Sequence, residues 1–69
     1  MAMKNRLKEF RFKNGEMTQD NMARIAGVSR QTIIAVEKGK FNPSAKLALK
    51  LANILHCTVE ELFELEEGD

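Results

Sequence analysis

One window of twenty residues, Gln19 to Lys38, dictates a helix, a tight turn and a second helix set at a steep angle to the first. It reads Gln19-Asp20-Asn21-Met22-Ala23-Arg24-Ile25-Ala26-Gly27-Val28-Ser29-Arg30-Gln31-Thr32-Ile33-Ile34-Ala35-Val36-Glu37-Lys38. Met22, Ala26, Val28, Ile33 and Val36 fall on inward faces, and Ala23 is small where two helices must approach closely. Gly27 falls where the first helix must stop, a place for a residue that reaches positive φ without a Cβ clash. Ser29 follows as an N-cap whose side-chain oxygen can accept from the next helix's unpaired N–H groups. The outer face of the second helix is left uncommitted, as in the motif whose second helix enters a DNA major groove.

Around this unit the apolar spacing is three and four throughout, and no stretch alternates with period two over a strand's length. The spacing predicts five helices. Helix one runs from about Lys4 to Asn14, with Leu7, Phe10 and, as a candidate, Arg11 inward, and Gly15 stops it. Helix two covers Gln19 to Ala26 behind a Thr18 cap, and helix three covers Arg30 to Lys38, ended by Gly39. Pro43 bars helix continuation and Ser44 caps helix four, Ala45 to Leu55, which buries Leu47, Ala48, Leu51, Ala52 and Leu55. Thr58 and Glu61 have capping-box spacing ahead of helix five, Val59 to Glu64, which buries Val59, Leu62 and Phe63. His56 stands where helix four should leave through a left-handed residue, and a C-cap substitute is the simplest account of it. Phe12, Met17, Ile25 and Leu49 receive no clear place in such a bundle. The expected fold class is all-α: a five-helix bundle forming a single domain over residues 1–69, with the helix-turn-helix unit at about 19–38.

Size and composition narrow the function. Sixty-nine residues are near the lower limit for a core without disulfides or metals, so dimerisation is a plausible second source of stability. The single Cys57 excludes an internal disulfide, and with His56 it cannot fill a zinc site, so no metal or cofactor is expected. No apolar run approaches the ~20 residues of a membrane span, and no signal-peptide core is present, so a cytoplasmic chain is expected. The net charge of +1 conceals a division. Residues 1–40 carry nine Lys/Arg against four acids, whereas residues 41–69 carry two Lys against six acids. A polyanion would be drawn to the first part and repelled by the second. The plainer account is ordinary surface charge.

A reader of DNA needs donors that grip phosphates and a braced helix whose outward residues reach base edges. With Ile33 and Val36 inward, the helical period aims Arg30, Gln31, Ile34 and Ala35 outward. Arg can pair with guanine O6 and N7, Gln with adenine N6 and N7, and Ile and Ala can pack on thymine methyl groups. Alternatively, Arg30 and Gln31 are simply good exposed helix formers. Gln19 at the start of helix two, Lys40 and Asn42 beyond helix three, and Ser44 at the start of helix four would form two phosphate clamps. For Gln19 the competing account is a solvated first-turn residue. Ser29 and Thr32 would bond phosphate or the helix backbone. Arg11 and Glu37 read as a structural ion pair that holds helix three against helix one.

These residues resemble the Xre family of phage-repressor-like helix-turn-helix regulators, with a lambda-repressor-like DNA-binding domain. The likeness is carried by Gln19-x3-Ala23-x3-Gly27-Val28-Ser29-Arg30-Gln31-Thr32-Ile33 and by Glu37-x-Gly39-Lys40-x-Asn42-Pro43-Ser44, and extends from about Lys4 to Leu65. The resemblance implies base reading by Arg30, Gln31, Ile34 and Ala35, and phosphate contacts by Gln19, Thr32, Lys40 and Asn42. It also implies a helix-locking pair of Arg11 with Glu37. The turn Gly15-Glu16-Met17-Thr18 is one residue longer than the family's common one, and His56 replaces its usual Gly. Some short members pair their chain ends as an antiparallel ribbon, and Met3-Lys4 with residues 63–66 could do so here. Met1-Ala2 could be an added pair ahead of a native start at Met3.

The expected function is sequence-specific binding of double-stranded DNA by a homodimeric transcriptional regulator, acting as a repressor on a palindromic operator. Leu62, Phe63 and Leu65, with Ile54 or Leu49, are the expected dimer contact. A different class is a protein-interaction module, such as an antitoxin-like partner using the acidic run from Glu60 to Asp69. An enzyme is not expected, because neither a nucleophile–base grouping nor a phosphate-binding Gly loop is present.

Overall fold

A computed structural model describes residues 3–66; Met1, Ala2 and residues 67–69, with the end of the acidic run, lie outside the described residues. The element order is β1 (Met3–Asn5), α1 (Leu7–Lys13), α2 (Gln19–Ala26), α3 (Arg30–Glu37), α4 (Ala45–Ile54), α5 (Val59–Leu62) and β2 (Phe63–Leu65). The terminal ribbon forms: β1 and β2 pair antiparallel, with Met3 opposite Leu65, Lys4 opposite Glu64 and Asn5 opposite Phe63.

The ribbon corrects two helix boundaries. Helix one does not begin at Lys4, because Met3–Asn5 is extended and Asn5 Oδ1 accepts from the Leu7 N–H at 3.1 Å, meeting one of the new helix's unpaired donors. Helix five does not reach Glu64, because Phe63 turns extended at φ −123°, ψ 143° and the chain leaves as β2. The backbone of Arg6 is tied in as well, its N–H donating to Leu62 O at 2.9 Å.

The remaining helices stop and start as their caps require. Thr18, Ser29 and Ser44 each accept from the backbone N–H three residues on, and Thr58 with Glu61 completes the reciprocal capping box. Gly27 sits at φ 76° and Gly39 at φ 74°, the left-handed region that a Cβ disfavours. At each of these ends two backbone bonds run back into the helix. Gly27 and Val28 donate to Arg24 O and Ala23 O, and Gly39 and Lys40 donate to Val36 O and Ala35 O. His56 at φ 56° does the same for α4, with His56 and Cys57 donating to Asn53 O and Ala52 O.

The core gathers Leu7, Met22, Ala23, Ala26, Ile33, Val36, Leu47, Ala48, Leu51, Ala52, Leu55, Leu62 and Phe63. Phe10, Met17, Val28, Cys57 and Val59 are half-buried against it. Of the unplaced apolar residues, Met17 therefore joins the core margin, whereas Phe12, Ile25 and Leu49 are exposed. Leu62 has no exposure at all and Phe63 only 9%, so both of these expected dimer-contact residues are spent on the core of one copy; turning into β2 carries Phe63 down onto it. Leu65, on the same strand, is 55% exposed.

Candidate nucleic-acid interface

Three elements brace α3. Arg11 and Glu37 face each other with side chains only 8% and 10% exposed. The guanidinium holds both carboxylate oxygens, Nε to Oε2 at 2.6 Å and Nη2 to Oε1 at 3.2 Å, and Nη1 donates to Met17 O at 2.7 Å. Gln19 Nε2 adds a third donor to Glu37 Oε1 at 3.1 Å. Two charges out of water need such full satisfaction, because a buried carboxylate lacking donors would be strongly destabilising. From the ribbon, Asn5 Nδ2 donates to Val36 O at 2.9 Å, satisfying a carbonyl in the last turn of α3. Thus α1, α2 and β1 all fasten the C-terminal end of one eight-residue helix.

At the opposite end, Ser29 Oγ accepts from Thr32 N–H at 3.1 Å and lies 2.9 Å from Thr32 Oγ1. Ser29 thus bonds the helix backbone, and the Thr32 hydroxyl meets the Ser29 hydroxyl. Arg30 and Gln31 are exposed, whereas Ile34 and Ala35, one turn on, are half-buried. The reading face is therefore polar at its start and apolar and partly sheltered further along. That order suits a helix that enters a groove by its N-terminal residues.

Of the expected phosphate-gripping residues, Lys40, Asn42 and Ser44 are exposed on the segment between α3 and α4. Ser44 Oγ is already the acceptor for Leu47 N–H at 3.2 Å, so it caps α4. Gln19 is half-buried and its amide is engaged by Glu37, so it joins α2 to the Arg11–Glu37 pair in addition to opening that helix.

Two residues escaped the sequence reading. No local spacing marks Asn5 as a brace for α3, because its partners lie 31 and 32 positions away. Asp20, an acid inside the basic part of the chain, approaches Arg30: Oδ1 lies 3.6 Å from Nε. A hollow of about 340 Å³ opens there, lined by Arg11, Thr18, Gln19, Asp20 and Arg30. Elsewhere Glu9 pairs with Lys13 at 3.1 Å. Glu61 serves the capping box, and Glu64 pairs with Arg6 at 3.2 Å. No helix among the described residues is long and apolar enough to cross a membrane.

Comparison with known proteins agrees with this geometry. A helix-turn-helix family model matches residues 7–62. An uncharacterized HTH-type transcriptional regulator of Archaeoglobus fulgidus is 46% identical over 67 residues, covering 97% of this chain and 94% of its own. Another from Methanocaldococcus jannaschii is 48% identical over 67 residues, covering 97% of this chain and all of its own. Among solved structures, the restriction-modification controller protein C.AhdI of Aeromonas hydrophila superimposes with a TM-score of 0.73 at 36% identity, over 81% of this chain and 83% of that one. The clp gene regulator ClgR of Corynebacterium glutamicum gives 0.73 at 25% identity, over 80% of this chain and 57% of that one. The chain belongs to the Xre-like helix-turn-helix family of DNA-binding transcriptional regulators.

Proposed function

We propose that this single domain works in the cytoplasm as a homodimeric repressor, reading a palindromic operator with α3 in the major groove. The observation that carries the reading is the asymmetry of α3. Its far end is locked by Glu37 and Val36, while its first turn presents Arg30 and Gln31 to solvent. A rigid helix with an exposed polar first turn can exchange hydration for base-edge hydrogen bonds at little ordering cost.

In this reading Arg30 and Gln31 pair with purine edges, and Ile34 and Ala35 supply apolar contact to thymine methyls. Lys40, Asn42 and the backbone N–H groups opening α2 and α4 hold phosphates. With Leu62 and Phe63 spent on the core, the dimer contact draws chiefly on exposed Leu65 and Leu49, with half-buried Ile54 the other candidate. Leu49 borders an apolar hollow with Ala45, Ala48, Ala52 and Val59, which shares no residue with α3. A second copy seated there would leave both reading helices uncovered.

Selection of fragments from a random duplex pool tests this directly. Enrichment of an inverted repeat with half-site centres about 34 Å apart, one helical turn, is the expected result. Recovery of an unrepeated half-site would remove the homodimer, and no enrichment at all would remove base reading. Placing the selected site across a reporter promoter then tests repression by a fall in transcript.

A further inference from the structure

Asp20 is out of keeping with its surroundings. It stands in the first turn of α2, beside the N–H groups expected to receive a phosphate, yet it carries the same charge as the ligand. The helix dipole welcomes a carboxylate there, but Thr18 already caps the helix, and a neutral residue at position 20 would not repel DNA. The position of Arg30 supplies a reason. The two residues come from different helices of the motif, ten positions apart, and their charged ends meet across the hollow, Nε to Oδ1 at 3.6 Å, with side chains 61% and 73% exposed.

We propose that Asp20 is a positioning residue for Arg30 that sets the protein's preference for a base edge over a phosphate. This rests on the reading of Arg30 as a groove residue. A guanidinium carries five donors in a fixed plane, and a carboxylate that attracts it at Nε turns its terminal Nη1 and Nη2 edge outward. That edge matches guanine O6 and N7. An untethered exposed arginine has many rotamers and can fold back onto the phosphate backbone, a contact that holds any sequence equally well. Asp20 restrains the first possibility and, by its charge, opposes the second. The device raises specificity partly by disfavouring the wrong complex.

Its test uses the selected operator, the same operator with each half-site base pair replaced in turn by the other three, and an unrelated duplex at fixed salt. Equilibrium binding is measured for wild type, Asp20→Asn, Asp20→Glu, Arg30→Ala and the Asp20→Asn/Arg30→Ala double variant, with thermal unfolding confirming that each is folded. Asp20→Asn is expected to lower discrimination at the one base pair that Arg30→Ala identifies, by roughly two- to five-fold, the scale of an exposed ion pair. It should also tighten binding to the unrelated duplex. Asp20→Glu should keep most of the discrimination. In the Arg30→Ala background, Asp20→Asn should no longer change base preference, although it should still tighten unrelated binding. The proposal is overturned if Arg30→Ala erases a base preference that Asp20→Asn leaves intact, or if Asp20→Asn weakens all positions alike. If Arg30→Ala itself changes no base preference, the groove reading of Arg30 fails, and the role of Asp20 falls with it.

Discussion

The Arg11 guanidinium holds both oxygens of Glu37, and this contact joins the first helix to the last residue of α3. Both side chains are almost wholly buried, so the pair positions α3 and also carries a large penalty when only half of it is present.

Glu37→Ala should therefore destabilise the domain by about 3–5 kcal/mol, because it strands a buried guanidinium. Replacing both partners, Arg11→Met with Glu37→Leu, should recover most of that loss. Urea unfolding of the two proteins distinguishes them; equal losses would show that the pair is not buried as described.

Asn5→Ala removes the acceptor for Leu7 N–H and the donor to Val36 O together. A loss of about 1 kcal/mol is expected, since the Leu7 N–H loses its acceptor while Val36 O keeps its bond from the Gly39 N–H. Lys8→Ala on exposed α1 surface should cost far less, and the comparison is made by chemical unfolding.

The contrast between Asn5 and Thr18 shows what could be read from the chain. Thr18, Ser29, Ser44 and Thr58 bond to N–H groups three residues away, so the starts of α2 to α5 are written in adjacent letters. The glycines and His56 mark helix ends for the same local reason. The ends of the ribbon are different. Lys4 and Asn5 fit a helical pattern well, and only the pairing with Glu64 and Phe63, about sixty positions away, makes them extended. Leu62 and Phe63 were likewise apolar letters that suited both core and dimer contact, and only the packing of the ribbon assigns them to the core. At the interface, the outward residues Arg30 and Gln31 follow from period alone. The approach of Asp20 does not, because it depends on the angle between α2 and α3.

Gly27→Ala tests the left-handed joint between α2 and α3. An added Cβ would meet no atom within 4 Å, so the cost is backbone conformation alone, about 1–2 kcal/mol. His56→Gly is the reverse experiment: relief at φ 56° set against a more flexible unfolded chain should leave stability unchanged or raised by less than about 1 kcal/mol. Thermal unfolding of both variants checks that only Gly27→Ala loses stability.

Lys40→Ala should weaken binding to operator and unrelated duplex by the same factor. The slope of log affinity against log salt should flatten by about one. Titrations between 50 and 200 mM salt read both; a change confined to one base pair would instead place Lys40 in the groove.

Burial first, and the nearby Glu61 carboxylate second, push the Cys57 thiol above its ordinary value of 9.0. The thiol is neutral when protonated, so a raised folded value means that the unfolded chain ionises first as pH rises. Its contribution to stability is whole below about 9 and is lost as pH climbs through the folded value. Stability of wild type relative to Cys57→Ala should accordingly fall above pH 9, and alkylation of Cys57 should be slower than that of an unfolded control at pH 8.

The ends of α2, α3 and α4 each close with two backbone bonds about one left-handed residue, and none of those bonds draws on a side chain from the outer face of α3. The joints and the lettering of the outer face are thereby independent. Substitutions at Arg30, Gln31, Ile34 and Ala35 can therefore change what that face presents while these backbone joints stay as they are.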